Sequence, residues 1–142
     1  MASPGGGGGG NALSFGLLVL RLVAGGMLLY GHGWGKLMHF ADRSQTFGNP
    51  IGLGSPVSMG LMIFAEVVCA TCVMLGFGTR FAAFFPAFGL AVAGFIQHAH
   101  DPFQKKELAF LYCAVFVTLM LAGGGRYALD AKFGPKVRFG GK

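Results

Sequence analysis

Acidic side chains are scarce in this sequence: five Asp and Glu stand among 142 residues, against eleven Lys and Arg. Charge of either sign is thin, at 11% of residues where a soluble domain carries about 25%. So few ionic groups cannot clothe a water-exposed surface, which excludes an ordinary globular enzyme. Cysteine is sparse too. Cys69, Cys72 and Cys113 all fall inside apolar runs, which excludes a secreted disulfide framework. No Lys or Arg precedes the first apolar run, so the start does not read as a secretory signal. The surplus charge of +6 is scattered at segment ends and forms no stripe. That excludes a nucleic-acid surface and fits the cations that flank membrane helices.

What the sequence has in abundance is apolar. Hydrophobic residues make up 54% of the chain, and its mean hydropathy is +0.62. Four runs stand out: Leu13 to about Leu37, Val57 to Phe77, Phe81 to Ile96 and Leu108 to Ala122. Each is near the length needed to cross a bilayer, and only a helix satisfies all its backbone groups within one such segment. The predicted fold class is therefore an all-α, integral membrane four-helix bundle. Residues 1–12, rich in glycine, read as a disordered tail. Residues 13–125 form the transmembrane domain, and 126–142 a basic cytoplasmic tail. Segments 39–56 and 97–106 and the turn at Gly76–Arg80 read as connectors. Lys and Arg counts favour both termini in the cytoplasm and an inner, plasma-membrane location. Ala83, Ala87 and Ala91 recur every four positions, the small-residue pattern of close helix packing in lipid.

Two charges stand inside these runs. Arg21 lies about 12 Å into the first segment, and Glu66 about 14 Å from the opposite edge of a core about 30 Å thick. Their depths then differ by about 4 Å, and pairing them is the simplest way to house two charges that each cost about 2.5–3.5 kcal/mol in lipid. Arg21, Gly25, Leu28, His32 and Lys36 share one helical stripe, which must face the bundle interior. His32, His39, His98, His100 and Glu107 all fall at the outer level. The expected polar intramembrane site thus gathers Arg21, His32, Lys36, Glu66, His98 and Glu107. No metal site is expected: His98 and His100 cannot share a helix face, and no cysteine lies at their level. Cys69-Ala-Thr-Cys72 lies mid-helix and reads as packing. Gly31 to Lys36 lacks the spacing of a phosphate loop.

The segment from Arg21 through His32-Gly33 to Lys36-Leu37 resembles the first helix of the DoxX family. The run from Glu66 through Gly76-Phe-Gly to Thr79-Arg80 is similar to that family's second helix and turn. Arg21, His32, Gly33, Lys36, Glu66, Gly76, Thr79 and Arg80 match the family pattern. The resemblance implies a four-helix membrane protein tied to respiratory or redox systems, including thiosulfate oxidation coupled to quinone. It implies a redox-associated membrane subunit, with a quinone as the one suggested cofactor and with membrane or peripheral redox proteins as partners; self-association is compatible with it. In that reading Arg21 and Lys36 stabilise negative charge on a ligand, while His32 or Glu66 exchanges protons. The other readings are a small permease or proton-coupled carrier, and a non-catalytic anchor or assembly factor.

Overall fold

A computed structural model describes residues 7–134 of the chain. Among the described residues there are helices and connectors and no strand. Helix α1 runs Gly7–Leu28, passes through a π-helical turn at Leu29–Gly33 and continues as Trp34–Met38. Helix α2 is built the same way, from Ser55–Ile63, a π segment at Phe64–Cys69, and Ala70–Leu75. Helix α3 runs Thr79–Val92 and ends in a π turn at Ala93–Gln97. Helix α4 spans Phe103–Ala122, and a short helix, α5, follows at Leu129–Phe133.

The first three long helices are long and apolar enough to cross a membrane. Helix α4 differs because Lys105, Lys106 and Glu107 occupy its first turns, so its uninterrupted apolar stretch starts at Leu108. Each long helix packs on its neighbour in the chain, and α4 returns to α1. Leu28, Ala70, Val73, Ala83, Phe116 and Leu119 meet at the centre, fully buried.

Small residues set how closely the helices approach. A Cβ placed on Gly25 would meet Met74 Cγ at 2.5 Å, and one on Gly33 would meet the Glu66 backbone at 2.9 Å. These two glycines fix the antiparallel register of α1 against α2. Ala83 and Ala87 are buried on α3, and the Cys113 thiol of α4 donates to Ala87 O at 3.4 Å. The alanine stripe therefore serves the α3–α4 contact. Helix α3 continues through Pro86, which is fully buried.

The start of the bundle departs from the sequence reading, and its end adds a fold within the basic tail. Residues 7–12 were expected in a disordered tail, yet α1 begins at Gly7. Once an apolar helix exists, extending it by a residue adds a backbone hydrogen bond without a new nucleus. Residues 1–6 lie outside the described residues. The basic tail expected from 126 onward is folded as far as residue 134: Asp130 N–H donates to Gly76 O at 2.9 Å, and Ala128 is buried against the α2–α3 turn. The unpaired amides at the start of α3 supply the reason, as shown below. Residues 135–142 lie outside the described residues.

Candidate functional site

The expected pair between Arg21 and Glu66 does not form. Glu66 accepts instead from Lys36, Nζ to Oε2, at 2.6 Å, with the carboxylate side chain 3% and the lysine side chain 23% exposed. The register explains the exchange. Glu66 lies level with Gly33, about 18 Å farther along α1 than Arg21. Depths counted from the ends of the apolar runs put the two charges level, whereas the glycine contacts decide which residues face each other.

Arg21 is fully buried at the other end of α2. Its Nη1 donates to Val73 O at 3.3 Å and to Met74 O at 3.0 Å. Those carbonyls close the last turn of α2, where a cation is favoured by the helix dipole. Gly76 continues the cap with φ +73°, and Phe77 N–H reaches back to Cys72 O at 2.8 Å while Gly76 N–H reaches Val73 O at 3.0 Å, a Schellman ending. A Cβ on Gly76 would lie 2.5 Å from Arg21 Nη1 and 2.4 Å from the Ala128 Cβ.

Asp130 finishes this end. Its Oδ1 accepts from Gly78 N–H at 2.7 Å and its Oδ2 from Thr79 N–H at 2.8 Å. It thus caps the start of α3 from a distant part of the chain. Partial burial pushes its carboxyl up, but the hydrogen bonds from Thr79 and Gly78 and the nearby Arg21 outweigh that and hold it below the ordinary carboxylate range. Arg80 is exposed and lies beside Gly123. Arg126 N–H donates to Ser14 Oγ at 3.4 Å, and its guanidinium to Asn11 Oδ1, tying the last segment to the start of α1.

The opposite end, beneath the 39–54 loop, carries a cavity of about 410 Å3. Its polar lining is His32, Lys36, Glu66, Gln97, His98 and Lys105, with Tyr112 beside them. The π turns of α1, α2 and α3 contribute His32, Glu66 and Gln97 in turn. A π turn widens the helix by one residue and is frequent at functional sites, and here it aims polar side chains of three helices at one space. His32 lies edge-on to the Tyr112 ring, with centroids 5.9 Å apart. The loop closes over the cavity through Phe47, Gly48 and Pro50, and Gly48 sits where a Cβ would strike the Gln97 amide at 2.6 Å. At the mouth, His98 Nδ1 and Asp101 Oδ2 are 2.7 Å apart, and this hydrogen bond, with Lys105 and Lys106 nearby, holds the Asp101 carboxyl below its usual range.

Four of the six expected site residues therefore meet: His32, Lys36, Glu66 and His98. Arg21 belongs to the other end, and Glu107 is exposed on α4 outside the cavity lining. His39 and His100 are exposed, and His39 Nδ1 lies 2.9 Å from Gly35 O. Among the described residues no cluster of His, Cys, Asp and Glu could hold a metal ion. Sequence reasoning passed over Gln97, Lys105, Tyr112 and Asp130. Lys105, Ala109, Tyr112 and Phe116 recur at helical spacing, and that stripe was a readable signal. Asp130, a lone acid among cations, gave none.

Comparison with known proteins settles the family. The DoxX profile matches residues 16–99, from α1 through α3. The chain belongs to the DoxX family. An uncharacterized protein of Haemophilus influenzae is 34% identical over 124 residues, covering 82% of this chain and 90% of its own length. No solved structure matches. With three membrane-length helices, this DoxX protein is an integral membrane protein in contact with the lipid bilayer.

Proposed function

We propose that this DoxX protein is the membrane subunit of an oxidoreductase system and that the cavity beneath the 39–54 loop is its ligand site. The observation that carries this reading is a buried ion pair, Lys36–Glu66, in the wall of a cavity shared by three π turns. A paired charge kept inside a membrane bundle at the edge of a space is an expensive arrangement that marks a ligand or proton site.

A quinone fits the donor set, because its ring carbonyls call for hydrogen-bond donors and Lys36, His32 and Tyr112 line the wall. Reduction of a quinone takes two electrons and two protons; a partner redox protein supplies the electrons. The residues of this chain do the rest. Lys36 Nζ, 2.6 Å from Glu66, would offer its positive charge to a ring oxygen as that oxygen gained electron density. Glu66 is the group that can accept or return a proton through Lys36, and His32 stands beside it as a second carrier. Arg21, whose Nη1 is held by the α2 carbonyls of Val73 and Met74, takes a structural part in this reading. The Lys and Arg asymmetry supports cytoplasmic termini and a plasma-membrane location.

The test is a thermal unfolding series in neutral lipid nanodiscs with a short-chain ubiquinone. A rise in Tm that is lost in the double variant Lys36→Met/Glu66→Leu supports the reading. A Tm indifferent to quinone, with no redox protein co-purifying in mild detergent, overturns it. Solute flux in liposomes would point to a carrier, and retained partner binding in the double variant to an anchor.

A further inference from the structure

A second cavity adjoins the polar one. It measures about 340 Å3 and is bounded by Phe47, Ile51, Phe64, Phe84, Phe85 and Phe88. Phe47, Pro50, Met62, Gly89 and Val92 line both spaces, so the two adjoin along these five residues. A Cβ on Gly89 would lie 2.9 Å from Met62 Sδ, so at this boundary the unbranched Met62 side chain, packed on a bare helix face, is what separates the two spaces. Phe64, Phe84, Phe88 and Leu61 are also exposed on the outer faces of α2 and α3. The apolar chamber is thus open to the hydrocarbon of the bilayer, while the polar chamber lies under the loop.

The charge in the polar chamber is unbalanced. Lys36 and Lys105 line it against the single carboxylate of Glu66. Glu66 is taken by Lys36, and among the described residues the Lys105 side chain has no ion pair or hydrogen bond. The Asp101 carboxylate stands near Lys105 at the mouth, but its Oδ2 is taken by His98 at 2.7 Å; an anionic head would meet the Lys105 ammonium directly, and a neutral one would not.

The geometry points to one molecule across both chambers: a single-tailed amphiphile with an anionic head, entering from the lipid between α2 and α3. Its tail lies among the phenylalanines, where each buried methylene contributes about 0.8 kcal/mol. Its head meets Lys105 and the donors of His32, Gln97 and Tyr112. This rests on the reading of the polar cavity as a ligand site, and it adds the ligand's charge, its tail and its route.

The experiment measures Tm and displacement of a fluorescent fatty acid in neutral phosphatidylcholine nanodiscs. The probes are laurate, lysophosphatidic acid, dodecanol, butyrate and a short-chain ubiquinone. Laurate or lysophosphatidic acid should bind, and the stronger of the two distinguishes a free carboxylate from a lipid phosphate. Dodecanol, without the charge, should bind about tenfold more weakly. Butyrate, without the tail, should bind at least about a hundredfold more weakly than laurate. Lys105→Gln, at an exposed position that folding tolerates, should weaken the anions about fivefold and leave dodecanol unchanged. Dodecanol equal to laurate, butyrate equal to laurate, or anion binding unaffected by Lys105→Gln would each overturn the proposal. Quinone binding without anion binding overturns it while leaving the redox reading intact, and anion binding without quinone binding does the reverse.

Discussion

The two ends of the α1–α2 pair hold one buried charge cluster each, and they solve the same problem differently. Arg21 is fully buried, and its Nη1 is held by two backbone carbonyls. It closes a helix end, and it does not line the cavity that Glu66 borders. Glu66 is almost as buried, but it is met by a partly exposed lysine side chain at the wall of a cavity. A charge inside a membrane segment is therefore not a site by itself. The deciding feature is whether its partner is fixed backbone or a side chain facing open space.

The largest effect should come from filling the tight turn at the Arg21 end. Gly76→Val demands a left-handed backbone from a β-branched residue and drives its Cβ into Ala128 and Arg21. Expected is a loss of about 3 kcal/mol or more, read as a collapsed Tm in detergent. A variant as stable as wild type would erase the contrast between a rigid end and an open one.

Next comes the ion pair. Lys36→Met strands a buried carboxylate and should cost about 2–4 kcal/mol. Adding Glu66→Leu should recover more than half of that, because an apolar pair replaces a charged one. A double-mutant cycle by chemical unfolding measures the coupling. Additive losses would mean that the two charges do not depend on each other.

The Asp130 cap should matter less and should depend on pH. Its folded carboxyl titrates below the ordinary value, so its contribution is fully present above about pH 4, the unfolded aspartate range. It is lost as pH falls through the lower folded value. Asp130→Asn should cost about 1 kcal/mol at neutral pH and flatten the acid limb of the stability profile. The smallest change is expected at the cavity mouth. Asp101→Asn removes a solvent-exposed contact to His98 and should leave Tm unmoved within error.

Much of this molecule was legible beforehand, and the misreadings share a cause. The apolar runs marked all four long helices, and the Arg21–Lys36 stripe does face inward, with Leu28 fully buried. Helical phase is a local property, so it can be read from one segment. Register between segments is not. It depends on where Gly25 and Gly33 let backbones touch, and a depth estimate from run ends could not find that. Asp130 was missed for the same reason: its partners, Gly78 and Thr79, lie in another part of the chain.

The widened turns at Leu29–Gly33, Phe64–Cys69 and Ala93–Gln97 carry a genetic corollary. Removing a single codon within one of them would let that ladder relax to an ordinary α-helix without shortening any connector. Side chains beyond the lesion would keep nearly their present direction, because the widened turn is what absorbs the extra residue. In α1 such a deletion would leave Lys36 opposite Glu66 but remove the bulge that turns His32 to the cavity, so an in-frame loss of one residue would strip a donor from the pocket while the bundle still inserts.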